Sequence, residues 1–232
     1  MEKRDKMISN NSKFFDYSEN ESFASNGKDG ICTKGYHFLK VIKDVTHTKP
    51  GSLKYLLFGS AVSKQSISIK FGKWGEKWFE YLVEITPNFT MLPHGVLKGI
   101  GSNGKNKDVD FLFEDEINKI IYYRELKGNI DLDTEKLPAT VDKINYLKEY
   151  LEKKYPEHTI NYGCLNWSVW DKKIYELKEN ISFLRKIKLF ENGGVTVTHA
   201  SEIFEILGID FTEADYYNYM KELGKKLNAT YS

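Results

Sequence analysis

The sequence has few cysteines, little net charge and no long apolar run, which are features that can assign a protein to a broad class by themselves. Its two cysteines, Cys32 and Cys164, are too few and too far apart for a disulfide framework or a thiolate metal site. The 34 basic residues nearly balance the 33 acidic ones, and a net charge of +1 excludes strong overall basicity. No apolar run approaches the roughly 20 residues of a membrane span, and the N-terminus lacks the apolar core of a signal peptide. We therefore expect a reduced protein of the cytoplasm with no membrane partner.

The composition is typical of a globular protein, with 41% hydrophobic and 29% charged residues. Residues 1–33 differ from the rest because Asn, Ser, Lys and acidic residues dominate them. Such a segment buries little apolar surface, so we expect a loosely structured N-terminal arm. Residues 34–232 are interpreted as a single domain, since their length is ordinary for one hydrophobic core.

Hydrophobic periodicity from residue 72 onward predicts a succession of helices and strands. From residue 72, aromatic and apolar residues recur at helical spacing and predict a helix. This helix should end at Thr86-Pro87, because proline and the residue before it disfavour a helix. The β-branched and aromatic runs at 109–113 and 119–127 predict an antiparallel hairpin. The other predicted elements are a strand at 91–97, a helix at 134–156, a strand at 159–170, a helix at 173–187, a strand at 195–200 and a helix from 213.

In chain order, residues 72 to about 169 contain a helix, three strands, a helix and a strand. The two helices should cover the faces of a mixed central sheet, which is an α/β architecture. We expect this core to carry N-terminal and C-terminal additions, and the latter includes an aromatic helix.

Acidic and basic side chains gather on the predicted hairpin. Because side chains two residues apart on a strand point to the same face, Glu125 and Lys127 should emerge side by side. Asp108 and Asp110 on the first strand obey the same rule, and strand pairing brings them alongside Glu125. The sequence therefore predicts two carboxylates that converge beside one lysine.

Phosphodiester hydrolysis needs such a cluster, because hard oxygen ligands hold Mg²⁺ against the phosphate and a cation lies near the attacking water. Asp110 and Glu125 suffice as direct ligands, since Mg²⁺ keeps several of its waters. Lys127 would orient or deprotonate the water and offset the developing negative charge. The alternative is a solvated strand edge with paired charges, which the apolar surroundings in IIYYRELK disfavour.

These residues resemble the PD-(D/E)XK nuclease superfamily and, within it, the type II restriction endonucleases. Val109-Asp110 stands at the Pro-Asp position, and Glu125-Leu126-Lys127 is the E-x-K element. The missing proline leaves a choice between Asp110 and Asp108, and the apolar run that follows Asp110 favours it. The resemblance covers residues 72 to about 169. It implies a restriction-endonuclease-like αβββαβ core within a single nuclease domain.

The resemblance implies a Mg²⁺-dependent endonuclease that acts as a homodimer on double-stranded DNA at a short palindromic site. The backbone carbonyl of Leu126 is then a further candidate metal ligand. Family members often add an acidic residue from the first helix. Glu76 and Glu80 lie four apart on one helical face, either as catalytic residues or as solvent-side charges. Alternatives are a structure-specific repair or junction nuclease with the same core, and a noncatalytic DNA-binding module.

Candidate DNA contacts surround the predicted metal site. Lys105 and Lys107 lie in a loop rich in Gly and Asn that either follows a phosphate backbone or is only solvated. Asn129 stands at the asparagine of a similar stretch in some restriction enzymes. The isolated His94 is more typical of a structural residue than of a DNA contact. A positive rim would be extended by Lys98, Arg124, Lys136 and Lys143.

Overall fold

The structure, a computed structural model, describes residues 64–101, 104–128, 130, 136–177 and 179–231. The expected N-terminal arm and the candidate DNA-binding residue Asn129 lie outside these residues. The chain forms two compact units, of which the first contains the described residues 64–78 and 210–231. The second contains the described residues between 79 and 209. None of the described helices is long and apolar enough to cross a membrane.

Helices and strands alternate along most of the described chain. The strands are β1 (Phe89–Met91), β2 (Gly95–Leu97), β3 (Lys107–Val109), β4 (Phe111–Asp115), β5 (Ile120–Lys127), β6 (Thr159–Asn166) and β7 (Val197–His199). The helices are α1 (Lys64–Glu84), α2 (Lys136–Lys154), α3 (Lys173–Leu177), α4 (Ile181–Asn192), α5 (Ala200–Ile206) and α6 (Glu213–Tyr231).

Helix α1 begins at Lys64, before the position at which the aromatic spacing starts, and ends at Glu84. The hydroxyl of Thr86 donates to the carbonyl of Leu82 at 2.6 Å, so a side chain satisfies one of the last helical carbonyls. Pro87 follows directly and cannot continue the helix. The predicted end of the helix is therefore confirmed.

The first unit is held by aromatic side chains of α1 and α6. The rings of Trp74 and Trp78 stack with their centroids 5.1 Å apart, and the ring of Tyr219 lies 5.2 Å from that of Trp78. All three side chains are almost completely buried. Large buried rings contribute both apolar area and favourable ring geometry, so this cluster is the core of the first unit.

The second unit is built on a five-stranded mixed sheet in the order β1-β4-β5-β6-β7. Strand β4 pairs antiparallel with both β1 and β5, which confirms the predicted hairpin. Strand β6 runs parallel to β5, and β7 runs parallel to β6. A separate antiparallel ladder joins β2 and β3. The protein is thus a mixed α/β protein, as the order of its elements predicts.

Helices cover both faces of this sheet. Helix α2 lays an apolar stripe on one face, where it joins Ile121 and Tyr123 of β5 in one core; the stripe is Leu137, Val141, Ile144, Leu147 and Leu151. On the other face, the ring of Phe79 from α1 lies 6.2 Å from the rings of Phe111 and Trp167. Because strand residues alternate, Glu125 shares the α2 face with Tyr123.

Several predicted elements are shorter than expected or divided. The predicted strand at 91–97 contributes to β1 and β2, which belong to different sheets. The predicted helix at 173–187 is broken into α3 and α4 at Glu179, whose φ of 50° is left-handed and interrupts a helix. Asn180 then caps α4 by accepting a hydrogen bond from the Phe183 N–H. The predicted strand at 159–170 is shorter in the structure, where β6 ends at Asn166. Asn166 lies opposite Lys127, the last residue of the neighbouring strand β5.

Arg124 has a structural role that its sequence context does not reveal. It is 1% exposed, and its guanidinium donates to the two carboxylate oxygens of Glu202 at 2.9 and 3.2 Å. It also donates to the backbone carbonyl and the side-chain Oδ1 of Asn161, at 2.9 and 2.8 Å. The prediction that Arg124 extends a positive rim is therefore wrong. Strand alternation turns its side chain to the face opposite Glu125, where β5, β6 and α5 meet.

Arg124→Met is expected to lower the free energy of unfolding by about 3 kcal/mol, because it leaves buried acceptors and a carboxylate without their donor. Urea denaturation followed by circular dichroism measures this loss. Arg185→Met on α4 is the matched control, since Arg185 is exposed and its removal should change stability by less than about 0.5 kcal/mol. Equal losses in both variants would show that the buried arginine contributes no more than a surface charge.

Candidate active site

Asp110 lies in the bend between β3 and β4, where the chain passes from the two-stranded ladder to the main sheet. Its Oδ2 accepts a hydrogen bond from the backbone N–H of Leu126 at 3.0 Å. The pairing of β4 with β5 begins only at Phe111 and Arg124. The Asp110 side chain therefore accepts the Leu126 N–H just beyond the point where backbone pairing stops. The bond holds the Asp110 carboxylate at the carboxyl end of β5.

Glu125 and Lys127 lie at the same end of β5 and on the same face, as their spacing predicts. Nζ of Lys127 donates to Oε1 of Glu125 at 2.7 Å. Glu125 is 4% exposed, whereas the side chain of Lys127 is 23% exposed. The pair therefore reaches solvent mainly through the lysine.

A second lysine completes the cluster. Lys143 on α2 places Nζ 2.5 Å from Oε2 of Glu125 and 3.4 Å from Oδ1 of Asp110. One ammonium group thus contacts both carboxylates, so Asp110 and Glu125 converge in space. The position of Lys143 is therefore inside the cluster and not on the expected rim, because α2 brings its side chain within reach of both carboxylates.

Two buried polar atoms of this cluster have no hydrogen-bond partner of ordinary geometry among the described residues. Oε2 of Glu125 is one of them, despite its short ion pair with Lys143. The other is the hydroxyl of Tyr123, which is fully buried on the same face of β5. Burial and then the charge of Glu125 raise the pKa of Tyr123 well above its usual value. Oε2 of Glu125 is nevertheless neutralised by the adjacent Lys143 ammonium, and the Tyr123 hydroxyl lies beside the Glu125 carboxylate.

The two carboxylates have opposite pKa shifts. Burial, followed by the charge of Glu125, raises the pKa of Asp110 to about 6, although two lysines and a backbone N–H act in the opposite direction. Burial also acts to raise the pKa of Glu125, but Lys127 and Lys143 outweigh it and lower that pKa below its usual value. At neutral pH Glu125 is thus stabilised as an ion, whereas ionised Asp110 is held in an unfavourable environment.

Lys127 keeps its proton in this environment. Burial acts to lower the pKa of Lys127, but the charge and hydrogen bond of Glu125 outweigh it and raise the pKa above its usual value. A protonated amine donates hydrogen bonds and cannot accept a proton. Of the two roles that the sequence leaves open, orienting a water and offsetting negative charge fits this state, and deprotonating the water does not.

Two carboxylate oxygens of the cluster, both of which contact Lys143 in this structure, fit a Mg²⁺ ion that keeps several waters. Oδ1 of Asp110 and Oε2 of Glu125 are the oxygens that the Leu126 N–H and Lys127 leave unused. N–H and C=O of one strand residue point to the same side, so the Leu126 carbonyl also faces Asp110. The structure contains no group of three or more His, Cys, Asp or Glu suited to a metal within the ranges it describes. Two carboxylates and a carbonyl match the preference of Mg²⁺ for oxygen and for few protein ligands.

The acidic residues expected from the first helix have different surroundings. Glu76 belongs to the first unit, whereas Glu80 belongs to the second. Oε1 of Glu80 lies 3.2 Å from Nε2 of His94, and Nδ1 of His94 lies 2.8 Å from the carbonyl of Leu92. A role in catalysis stays a prediction for Glu76 and Glu80.

Asp108 and Lys105 occupy exposed positions near Asp110. Asp108 lies on β3 opposite Val96, so the structure brings Asp110 to Glu125 and leaves Asp108 in solvent. Lys105 is exposed in the loop before β3. The exposed position of Asp108 agrees with the preference for Asp110 that the sequence indicates.

The loop before β3 is attached to α2 through Tyr146. The hydroxyl of Tyr146 donates to the carbonyl of Ile100 at 2.6 Å, and Nζ of Lys107 lies 5.1 Å from the centroid of the Tyr146 ring. The backbone at Gly101 also lies close to that of Lys105, since a Cβ added at Gly101 would lie 2.7 Å from the carbonyl oxygen of Lys105. Lys107 is therefore half-buried against a ring, and Lys105 is the more accessible of the two lysines.

Lys143 is the cluster residue whose position the sequence does not reveal. It stands immediately before Ile144, a buried member of the apolar stripe of α2. A residue beside such a stripe lies at the margin of the helix face that packs on the sheet. The position of Lys143 next to the apolar stripe therefore indicates that it lies at the edge of the buried face of α2. It does not indicate which carboxylates the lysine contacts.

Comparisons of the chain with family models, with curated proteins and with solved structures find no match. The function is therefore inferred from the geometry and chemistry of the cluster. The resemblance described above stays a prediction that rests on Asp110, Glu125 and Lys127.

Proposed function

We propose that the protein is a Mg²⁺-dependent endodeoxyribonuclease of the restriction type. The observation that carries this proposal is the convergence of Asp110 and Glu125 on one ammonium group, with Lys127 hydrogen-bonded to Glu125. Two carboxylates and a protonated lysine at one strand end suit a hydrated cation and a phosphodiester, because each charge of the substrate complex then meets its opposite.

The path of the chain supports the proposal. When the β2–β3 ladder is treated as an insertion, the elements α1, β1, β4, β5, α2 and β6 follow the order αβββαβ. The first three of these strands form an antiparallel meander, and the fourth runs parallel to the third. This order agrees with the core that the resemblance to restriction endonucleases implies.

Each residue of the cluster has a distinct role in the proposed reaction. Asp110 and Glu125 would hold the ion, and the Leu126 N–H keeps the Asp110 carboxylate in its orientation. Bound Mg²⁺ supplies charge stabilisation and lowers the pKa of a coordinated water. Lys127 donates to the attacking water or to a phosphoryl oxygen and offsets the negative charge that develops there. Partial burial excludes bulk water, which strengthens these interactions.

The proposed substrate is double-stranded DNA with a short palindromic site. A homodimer with one cluster per subunit would match the symmetry of such a site. The net charge of +1 means that phosphate contacts come from local groups of basic residues. The exposed Lys105, in the loop that precedes β3 and Asp110, is suited to this role.

A cleavage assay on plasmid and genomic DNA, with Mg²⁺ or with EDTA, tests the proposal. We expect discrete fragments in the presence of Mg²⁺, and sequenced fragment ends that share one short palindrome. Uniform degradation, or nicking that requires branched DNA, would favour a structure-specific repair or junction nuclease instead. Lack of cleavage of every DNA form with Mg²⁺ and with Mn²⁺ would overturn the enzymatic proposal and leave a noncatalytic DNA-binding module.

A further inference from the structure

The charges of the cluster balance without any ion. Asp110 and Glu125 contribute two negative charges when ionised, and Lys127 and Lys143 contribute two positive ones. The side chains of both carboxylates are largely buried, at 15% and 5% exposure. Partly buried ions are stabilised only when an opposite charge lies close by. The lysines therefore hold the two carboxylates together in this state.

The two lysines differ in what they contact. Lys127 donates to Oε1 of Glu125, its neighbour on the same strand. Lys143 comes from a different element and reaches the other oxygen of Glu125 as well as Oδ1 of Asp110. These two carboxylates are the residues that would hold the metal ion, so Lys143 neutralises the same groups that the ion would need.

We propose that Lys143 is an internal cation that competes with the metal and makes metal binding depend on DNA. The inference rests on the proposed metal site at Asp110 and Glu125. Without DNA, the Lys143 ammonium keeps these carboxylates neutralised and weakens binding of a divalent ion. When DNA binds, its phosphates attract the ammonium, and both carboxylates become available. Metal and DNA then increase each other's affinity, as linkage requires.

The charge balance favours this exchange. A divalent ion added beside both lysines would leave two excess positive charges in a poorly solvated site, which is unfavourable. If Lys143 withdraws, one excess positive charge is left, and the phosphate at the site neutralises it. The Lys143 side chain is 20% exposed and flexible, so its ammonium can leave the carboxylates without unfolding α2.

Titration of Mn²⁺ into the DNA-free protein, followed by electron paramagnetic resonance of the free ion, tests the inference without any cleavage. Lys143→Met is expected to bind Mn²⁺ at least about tenfold more tightly than the wild type, because the competing charge is gone. Lys148→Met is the matched control. Lys148 is also on α2 but pairs with Glu152 on the helix surface, so its loss should leave Mn²⁺ affinity unchanged.

Adding Glu125→Gln to Lys143→Met separates this inference from the proposed function. If Lys143→Met and the double variant bind Mn²⁺ equally, the metal site itself is wrong and the proposed function loses its support. If the double variant binds Mn²⁺ more weakly than Lys143→Met, but Lys143→Met binds it no more tightly than the wild type, only the competition by Lys143 is overturned. Circular dichroism checks folding, and Lys143→Gln, which keeps a hydrogen-bond donor, replaces the methionine variant if that variant fails to fold.

Discussion

Replacing Lys127 by methionine is expected to slow DNA cleavage by about 10³-fold, while DNA binding in the absence of metal changes by less than about threefold. Methionine keeps the unbranched stem of the lysine and removes its charge and its hydrogen bond to Glu125. The loss should appear mainly in the rate of the bound complex, because the lysine is proposed to act on charge that develops in the transition state. Single-turnover cleavage and metal-free gel-shift titrations measure the two quantities.

Lys119→Met is the control for this prediction. Lys119 is an exposed residue immediately before β5, at the end opposite to the cluster, so its removal changes the charge of the protein equally. We expect normal cleavage from this variant. If Lys127→Met retained more than about a tenth of the wild-type rate, the lysine would have no direct part in the chemistry.

Asp110→Asn is expected to stabilise the protein while it abolishes cleavage. The pKa of Asp110 is raised to about 6, so the folded protein binds this proton more tightly than the unfolded chain does. Above that pH the ionised carboxylate is therefore destabilising. An asparagine carries no charge at any pH, and we expect it to raise the free energy of unfolding at pH 7.5 by roughly 1–3 kcal/mol. Thermal unfolding should then shift upward by about 2–12 °C.

The sign of the pH dependence distinguishes this cause from others. In the wild type, protonation of Asp110 raises the free energy of unfolding as the pH falls from about 6 toward 3.8, because the folded protein binds this proton more tightly than the unfolded chain does. Asp110→Asn lacks this gain. The difference in stability between the two proteins should therefore shrink across this window. Asp108→Asn is the control, since Asp108 is exposed on β3 and its replacement removes one carboxylate that lies outside the cluster.

Glu125→Gln should have the opposite effect on stability. Two lysines lower the pKa of Glu125, so its ionised form stabilises the fold at neutral pH, and this contribution is lost as the pH falls through the lowered folded-state pKa. We expect the glutamine variant to be less stable than the wild type at pH 7.5 and also inactive. If both amide variants changed stability in the same direction, the assignment of one unfavourable and one favourable carboxylate would be wrong.

Local sequence patterns predicted much of the fold around the cluster. The β-branched and aromatic runs on either side of the polar segment around Glu116 predicted the β4–β5 hairpin, and the apolar stripe of α2 predicted the helix that covers it. Pro87 marked the end of α1 for a reason that acts within a few residues. Patterns failed where one residue interrupted a continuous periodicity, as at Glu179, whose left-handed backbone divides α3 from α4.

The sequence alone determined that Glu125 and Lys127 stand side by side, because a strand repeats its side-chain direction every two residues. It also favoured Asp110 over Asp108 through the apolar run that follows. The tertiary structure alone decided the partners of the two cations that a sequence pattern places on the surface. Arg124 became a buried ion pair with Glu202, and Lys143 reached both carboxylates. Such contacts depend on the position and orientation of a helix packed on the sheet. Both are set by the packing of many side chains that are distant in sequence.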